Sequence, residues 1–259
     1  VVVEASDGSN GSQIAEIICK TGEKIVGKSS KGAEKFVITE SSQNGESTTV
    51  TIIATDYAGN QTVVTDRVFV DRDAPKALIQ GVEDYTITSK PVQVSYLAEE
   101  ENVIQTVRAN ILKEDIDGKK EETEITEWKT KSRNESGDTK KESVQTLAED
   151  GLYKLRMNVT DMAGNVSHAE RQLIIDKENP VIAHVDELDG KYLKKFSWNY
   201  SIEESIKDFT NYTYVMKVDD AFYRPGEKIE KEGVHVLTIE AFDSAGNKGE
   251  AKARFTIRR

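Results

Sequence analysis

One cysteine, three histidines and four prolines in 259 residues remove several classes of protein at the outset. Cys19 has no partner in the chain, so no internal disulfide forms and no cysteine-based metal site exists. Beside Ile17 and Ile18 it reads as a small buried hydrophobe. His168, His184 and His235 stand in three different contexts without recognisable partner spacing. No phosphate loop, nucleophile motif or zinc pattern occurs, so an enzyme is not expected. No apolar run approaches the roughly 20 residues that cross a bilayer. Basic clusters free of neighbouring acids are missing too, and the net charge of −11 argues against nucleic acid and anionic lipid as partners. The opening Val1-Val2-Val3-Glu4 has no basic segment or cleavage-like site, and no wall-anchor motif appears in the C-terminal residues; the sequence reads as a fragment of something larger.

What the sequence does contain is repetition. Asp56-Tyr57-Ala58-Gly59-Asn60 recurs as Asp161-Met162-Ala163-Gly164-Asn165 and as Asp243-Ser244-Ala245-Gly246-Asn247. An alternating segment precedes each copy. Tyr153, Leu155, Met157 and Val159 share one face before the second, and His235, Leu237, Ile239 and Ala241 before the third. Period two over this length is a strand with one wet face. A second strand follows each copy, containing Val68 and Val70, Leu173 and Ile175, then Phe255 and Ile257. Each pentapeptide is therefore the turn of a β-hairpin. Gly59, Gly164 and Gly246 supply positive φ; Asp56, Asp161 and Asp243 accept hydrogen bonds from the turn; Asn60, Asn165 and Asn247 tolerate the left-handed region.

Earlier strands align as well. Val92, Val94, Tyr96 and Ala98, followed by two glutamates, match Phe196, Trp198, Tyr200 and Ile202, followed by two more. The spacing to the pentapeptide is longer in repeat two, and the charged stretch 113–142 accounts for the difference. Its turn signals, Asp117-Gly118 and the run from Asn134 to Gly137, flank an expected strand at Thr123–Trp128 and mark lengthened middle hairpins. Pro75 and Pro180 mark boundaries. The expectation is an all-β chain of three tandem immunoglobulin-like antiparallel β-sandwich domains, at 1–74, 75–179 and 180–259. The first domain lacks its first strand, and Asn44-Gly45 stands in for its entry turn.

Asp150-Gly151-Leu152-Tyr153 at a strand entry, the Asp-x-Ala-Gly-Asn turn, and a strand ending in Ile175-Asp176 before Pro180 resemble the bacterial Ig-like repeats of Gram-positive cell-surface proteins. The resemblance implies a bacterial, extracellular setting and a structural spacer or stalk without catalysis. Two alternatives are an adhesive module binding a host glycan or protein, and accessory domains of a surface enzyme. A tyrosine corner at Tyr153 fits the same position, with His235 as its substitute in repeat three.

Two sets of residues are candidates for binding. Asp71, Asp73, Asp176 and Glu178 lie at the joints between repeats, where hard oxygen ligands could hold calcium; Arg72 and Lys177 among them fit a solvated linker equally. No other cofactor is expected. Repeat three holds 11 of the 18 aromatic residues, most of them at inward positions. Phe222 and Tyr223, beside Arg224-Pro225-Gly226, are the pair expected to make an exposed contact. A chain of self-contained cores needs no second copy, so a monomer is expected.

Overall fold

The computed structural model describes residues 1–9, 11–38 and 45–258. Asn44, part of the expected entry turn of repeat one, lies outside them. By packing, the chain divides into a unit of Val1–Ala74 with Ala163–Asn165, and a second of Pro75–Met162 with Val166–Arg259. The protein is all-β, its strands joined into antiparallel sheets with short parallel additions at two edges.

Repeat two is the most complete sandwich. One sheet runs Lys120–Glu124, Ile104–Glu114, Gly151–Asp161, Val166–Ile175, Thr86–Thr88. The other runs Lys129–Asn134, Gly137–Leu147, Val92–Glu99, Lys76–Gln80. The strict alternation of Gly151–Asp161 puts Tyr153, Leu155, Met157 and Val159 against Val94, Tyr96 and Ala98 of the facing sheet. Such a core is the main driving force for closing the two sheets. Tyr153 Oη donates to Glu149 O at 2.8 Å, which closes the corner expected from its position. The Asp117-Gly118 turn and the turn from Asn134 to Gly137 close two hairpins within the charged stretch. Thr123–Trp128, however, is not one strand. The chain leaves the first sheet after Glu124 and enters the second at Lys129, with Ile125 buried and Trp128 Nε1 donating to Ile125 O at 3.1 Å.

Repeat three keeps the large sheet, in the order Tyr192–Leu193, Lys248–Ile257, Gly233–Asp243, Tyr212–Val218, Ala221–Phe222. Its second face is reduced to Val181–Ile182 paired with Ile206–Lys207. The strand expected through Phe196, Trp198, Tyr200 and Ile202 does not form. Phe196 and Trp198 are buried in the core, but Tyr200 is exposed and Ile202–Ser205 is a turn of helix. The cause is local. Ser201 Oγ accepts from Glu204 N at 3.2 Å while the Glu204 carboxylate accepts from Ser201 N at 3.0 Å, a capping box that starts a helix where the alignment wanted a strand.

In the first unit, Lys24–Ser29, Ile14–Thr21, Ser47–Asp56 and Gln61–Phe69 form a four-stranded sheet, and Val2–Glu4 pairs with Ala33–Lys35. Its buried apolar cluster is Val3, Ile17, Cys19, Phe36 and Val50, so Cys19 is the small core residue its neighbours suggested. Gln61–Phe69 is exposed along its whole length. In repeats two and three the matching strand carries a parallel neighbour, Thr86–Thr88 beside Leu173–Ile175 and Tyr192–Leu193 beside Thr256–Ile257.

Candidate functional site

The three pentapeptides fold alike. Gly59, Gly164 and Gly246 have φ of +89°, +91° and +91°, the region glycine enters without strain. Asp56 Oδ1 accepts from Asn60 N and Asp56 Oδ2 from Asn60 Nδ2, both at 2.7 Å. Asp243 does the same toward Asn247, at 2.7 and 2.6 Å. The Asn60 side chain, bonded to the Asp56 carboxylate, holds that carboxyl below its ordinary value. The asparagines differ from expectation: none has positive φ. They are present for the side-chain amide, which has two hydrogens to give.

The second hydrogen reaches beyond the turn. Asn247 Nδ2 donates to Asp243 Oδ2 and also to Asp176 O at 2.8 Å, the last residue before the linker that joins repeats two and three. Within the first unit, Asn165 Nδ2 donates to Asp71 O at 3.1 Å in the same fashion. At the joint between repeats two and three the linker is also pressed against a strand. A side chain on Gly249 would put its Cβ 2.1 Å from Pro180 O, so the glycine is what admits that approach. A glycine inside an alternating strand was the available sequence signal for this, since it marks a close backbone contact.

The same joint gathers three carboxylates. Asp176, Asp208 and Asp243 each offer an oxygen, and the three oxygens lie within 4.8 Å of one another. Asp176 is only 1% exposed, and its Oδ2 has no hydrogen-bond partner. Its Oδ1 accepts from Glu178 N at 3.3 Å. Burial pushes the Asp176 carboxyl above the usual carboxylate range, against the nearby Thr210 hydroxyl, and the charges of Asp208 and Asp243 push it the same way. The Thr210 hydroxyl itself points to Asp208 Oδ1 at 3.0 Å, where Thr210 N also donates at 2.8 Å. Of the expected joint ligands, then, only Asp176 enters the cluster. Glu178 contributes its backbone N–H and its side chain is exposed. Asp71 and Asp73 form a local turn, Asp73 N donating to Asp71 Oδ1 at 3.1 Å. Asp208 had no motif to announce it, being far in sequence from both partners. Asp243, read only as a turn-former, turned out to face two systems at once.

The aromatic pair divides. Phe222 is 82% exposed, whereas Tyr223 is 5% exposed. Tyr223 Oη accepts from Trp198 N at 2.8 Å and donates to Glu227 O at 2.7 Å, bonds that pull it into the core of repeat three. The contact expected of the pair thus reduces to Phe222, at the end of a two-residue edge strand. His235 is buried with Nε2 donating to Lys231 O at 2.7 Å and Nδ1 against Asp219 Oδ2 at 2.6 Å. A carbonyl only accepts, so Nε2 carries a hydrogen and offers no lone pair to a substrate. The bond reaches four residues back, as Tyr153 does in repeat two, and makes His235 a corner residue.

No helix among the described residues is long and apolar enough to cross a membrane. No curated protein matches the chain. Among solved structures, a tetra-tandem repeat in the extending region of a large adhesion protein is 15% identical, with 98% of this chain and 68% of that one covered at a TM-score of 0.41. A structure concerned with host cell surface retention of a 1.5-MDa bacterial ice-binding adhesin is 9% identical, covering 96% and 89%, with a TM-score of 0.28. Fibronectin(III)-like modules of Clostridium thermocellum CbhA are 10% identical, covering 71% and 94%, with a TM-score of 0.26. Residues 102–177, which contain the second pentapeptide and its hairpin, match the bacterial Ig-like domain family.

Proposed function

We propose that the chain is a non-catalytic spacer of a bacterial cell-surface protein, a monomeric run of Ig-like repeats that holds other parts of that protein apart. The observation that supports this is the tie made by Asn247, whose one amide bonds both its own turn and the carbonyl of Asp176. A spacer works only if successive repeats keep their direction, and a short linker alone limits bending without fixing it. The tie adds direction, and Pro180 packed against Gly249 adds a second point of contact. Residual dipolar couplings test the reading. In the parent chain, amides of Gly151–Asp161 and of Gly233–Asp243 should fit a single alignment tensor. In Asn247→Ala they should need two. Two tensors in the parent chain would remove the spacer reading.

A second reading, adhesion to a host glycan or protein, is favoured by Phe222 alone. An aromatic ring this exposed is the usual anchor of a binding contact, and Tyr214, Arg224 and Pro225 line a shallow cleft beside it. A screen of glycans and matrix proteins against the whole chain should then give a ligand whose binding falls at least about tenfold in Phe222→Ala, the loss of a single aromatic anchor. Binding that ignores the substitution would place adhesion elsewhere.

A further inference from the structure

We propose that Asp176, Asp208 and Asp243 form a calcium site at the joint between repeats two and three. The site deepens the spacer reading, on which only its mechanical consequence rests. Three carboxylates whose oxygens lie within 4.8 Å of one another repel unless something positive sits among them. Among the described residues none of the three takes part in a salt bridge, and Lys177, next in sequence to Asp176, turns to Asp150 at 3.9 Å. The Asp176 Oδ2 atom is an independent sign. It is buried without any hydrogen bond, an arrangement that is costly for a carboxylate oxygen and that a bound cation would satisfy.

The other two carboxylates are held in place before any ion arrives. Asn247 N and Nδ2 fix Asp243, while Thr210 N and Oγ1 fix Asp208 through its Oδ1. Oxygen-only ligands select a hard cation. Calcium bonds oxygen at roughly 2.3–2.6 Å, so one ion can touch oxygens up to about 5 Å apart. Magnesium, at roughly 2.0–2.1 Å, spans less and demands an octahedron. Asp208 is only half-buried, which leaves one side of the site open for the waters that complete the calcium shell. The three ligands come from both sides of the joint: Asp176 directly follows the last strand of repeat two, and Asp208 and Asp243 belong to repeat three. An ion there would be bound by both repeats together.

The whole chain, stripped with chelator, should bind calcium once in a calorimetric titration with a Kd of about 10⁻⁴–10⁻³ M, the range of extracellular modules with few charged ligands. Asp208→Asn, at the half-buried edge, should keep its circular dichroism and weaken calcium at least about tenfold. Asp176→Asn should do the same, and if it fails to fold the Asp208 variant still decides the matter. No heat with 10 mM calcium overturns the site. So does calcium binding unchanged in Asp208→Asn, or binding of zinc with neither calcium nor magnesium. The two readings fail separately. A joint that stays aligned without binding calcium keeps the spacer and loses the site; calcium binding in Asp208-dependent fashion at a joint that stays loose keeps the site and loses the spacer.

Discussion

Gly249→Ala should destabilise repeat three by about 3 kcal/mol, the upper end of what one misplaced carbon costs in a packed interior. The reason is steric and local. Gly249 is the second residue of Lys248–Ile257 and pairs with Ala241, in a backbone conformation open to any residue. The corresponding position of repeat two is Ser167, so the strand itself does not require glycine. What requires it is Pro180, whose carbonyl oxygen would sit 2.1 Å from the new Cβ and whose carbonyl carbon would sit 3.1 Å away. Those are backbone atoms and cannot swing aside. The linker must lift, and with it the carbonyl of Asp176 that Asn247 holds. Thermal unfolding should therefore show a fall of about 4–8 °C per kcal/mol for a domain of this size. The couplings that report on the joint should change with it. A variant with unchanged melting and unchanged alignment would mean that the linker yields freely, and the rigid joint would be lost as an idea.

How much of this could be read beforehand depended on whether the cause was local. The hairpin around Asp161-Met162-Ala163-Gly164-Asn165 was legible because turn chemistry and alternation act over a few residues, and the same holds for the corner at Tyr153. The helix at Ile202–Ser205 was equally local, since Ser201 and Glu204 carry a capping box in plain view; an alignment of apolar positions simply outvoted it. Thr123–Trp128 was misplaced for another reason. Ile125 and Trp128 are apolar enough for a strand, but they fill the crossover between two sheets, and only the partner strands decide that. The division of Phe222 from Tyr223 follows the same logic. Adjacent residues on an edge strand point to opposite faces, and the core of repeat three lies on one side only. The carboxylate cluster was beyond reach for a stronger reason. Asp176, Asp208 and Asp243 are brought together by the packing of one repeat on the next, and no spacing within a repeat encodes that. Asn247 hid its second role because its first, bonding Asp243, already accounted for it.

The pentapeptide thus does two jobs with one set of atoms. Its Asp and Gly close a hairpin, which any tight turn could do. In the second and third copies the Asn also donates beyond the turn, Asn165 to Asp71 O and Asn247 to Asp176 O. This accounts for the Asn at 165 and 247, neither of which has a left-handed backbone, whereas Asn60 bonds its own turn through Asp56. In the copy at Asp243 the carboxylate is held still by its own turn while it faces Asp176 and Asp208, so hairpin, tie and cluster share a residue.

The first unit should prove the weakest part of the chain, and Ile17→Ala should unfold it. Among the described residues, Ile17 is fully buried in a cluster of five, with Val3, Cys19, Phe36 and Val50, whereas repeats two and three have clusters of fourteen each. Truncating a buried Ile to Ala costs about 2–5 kcal/mol in lost transfer energy and cavity. A unit of this length holds about 4–10 kcal/mol in total at ordinary stability per residue, and a small core sits toward the lower end. The arithmetic leaves little margin. The small cluster has a visible cause, because Gln61–Phe69 is exposed throughout and, among the described residues, has no parallel neighbour of the kind that Thr86–Thr88 and Tyr192–Leu193 provide. Hydrogen exchange on the variant should show Ile14–Thr21 and Ser47–Asp56 losing protection together, while Gly151–Asp161 and Gly233–Asp243 keep theirs. Leu155→Ala, of similar cost, should leave repeat two folded, since its core retains thirteen other buried residues to share the cavity. If Ile17→Ala instead cost less than about 1 kcal/mol, below the range for a cavity of that size, the first unit would have to draw its stability from something other than the core described.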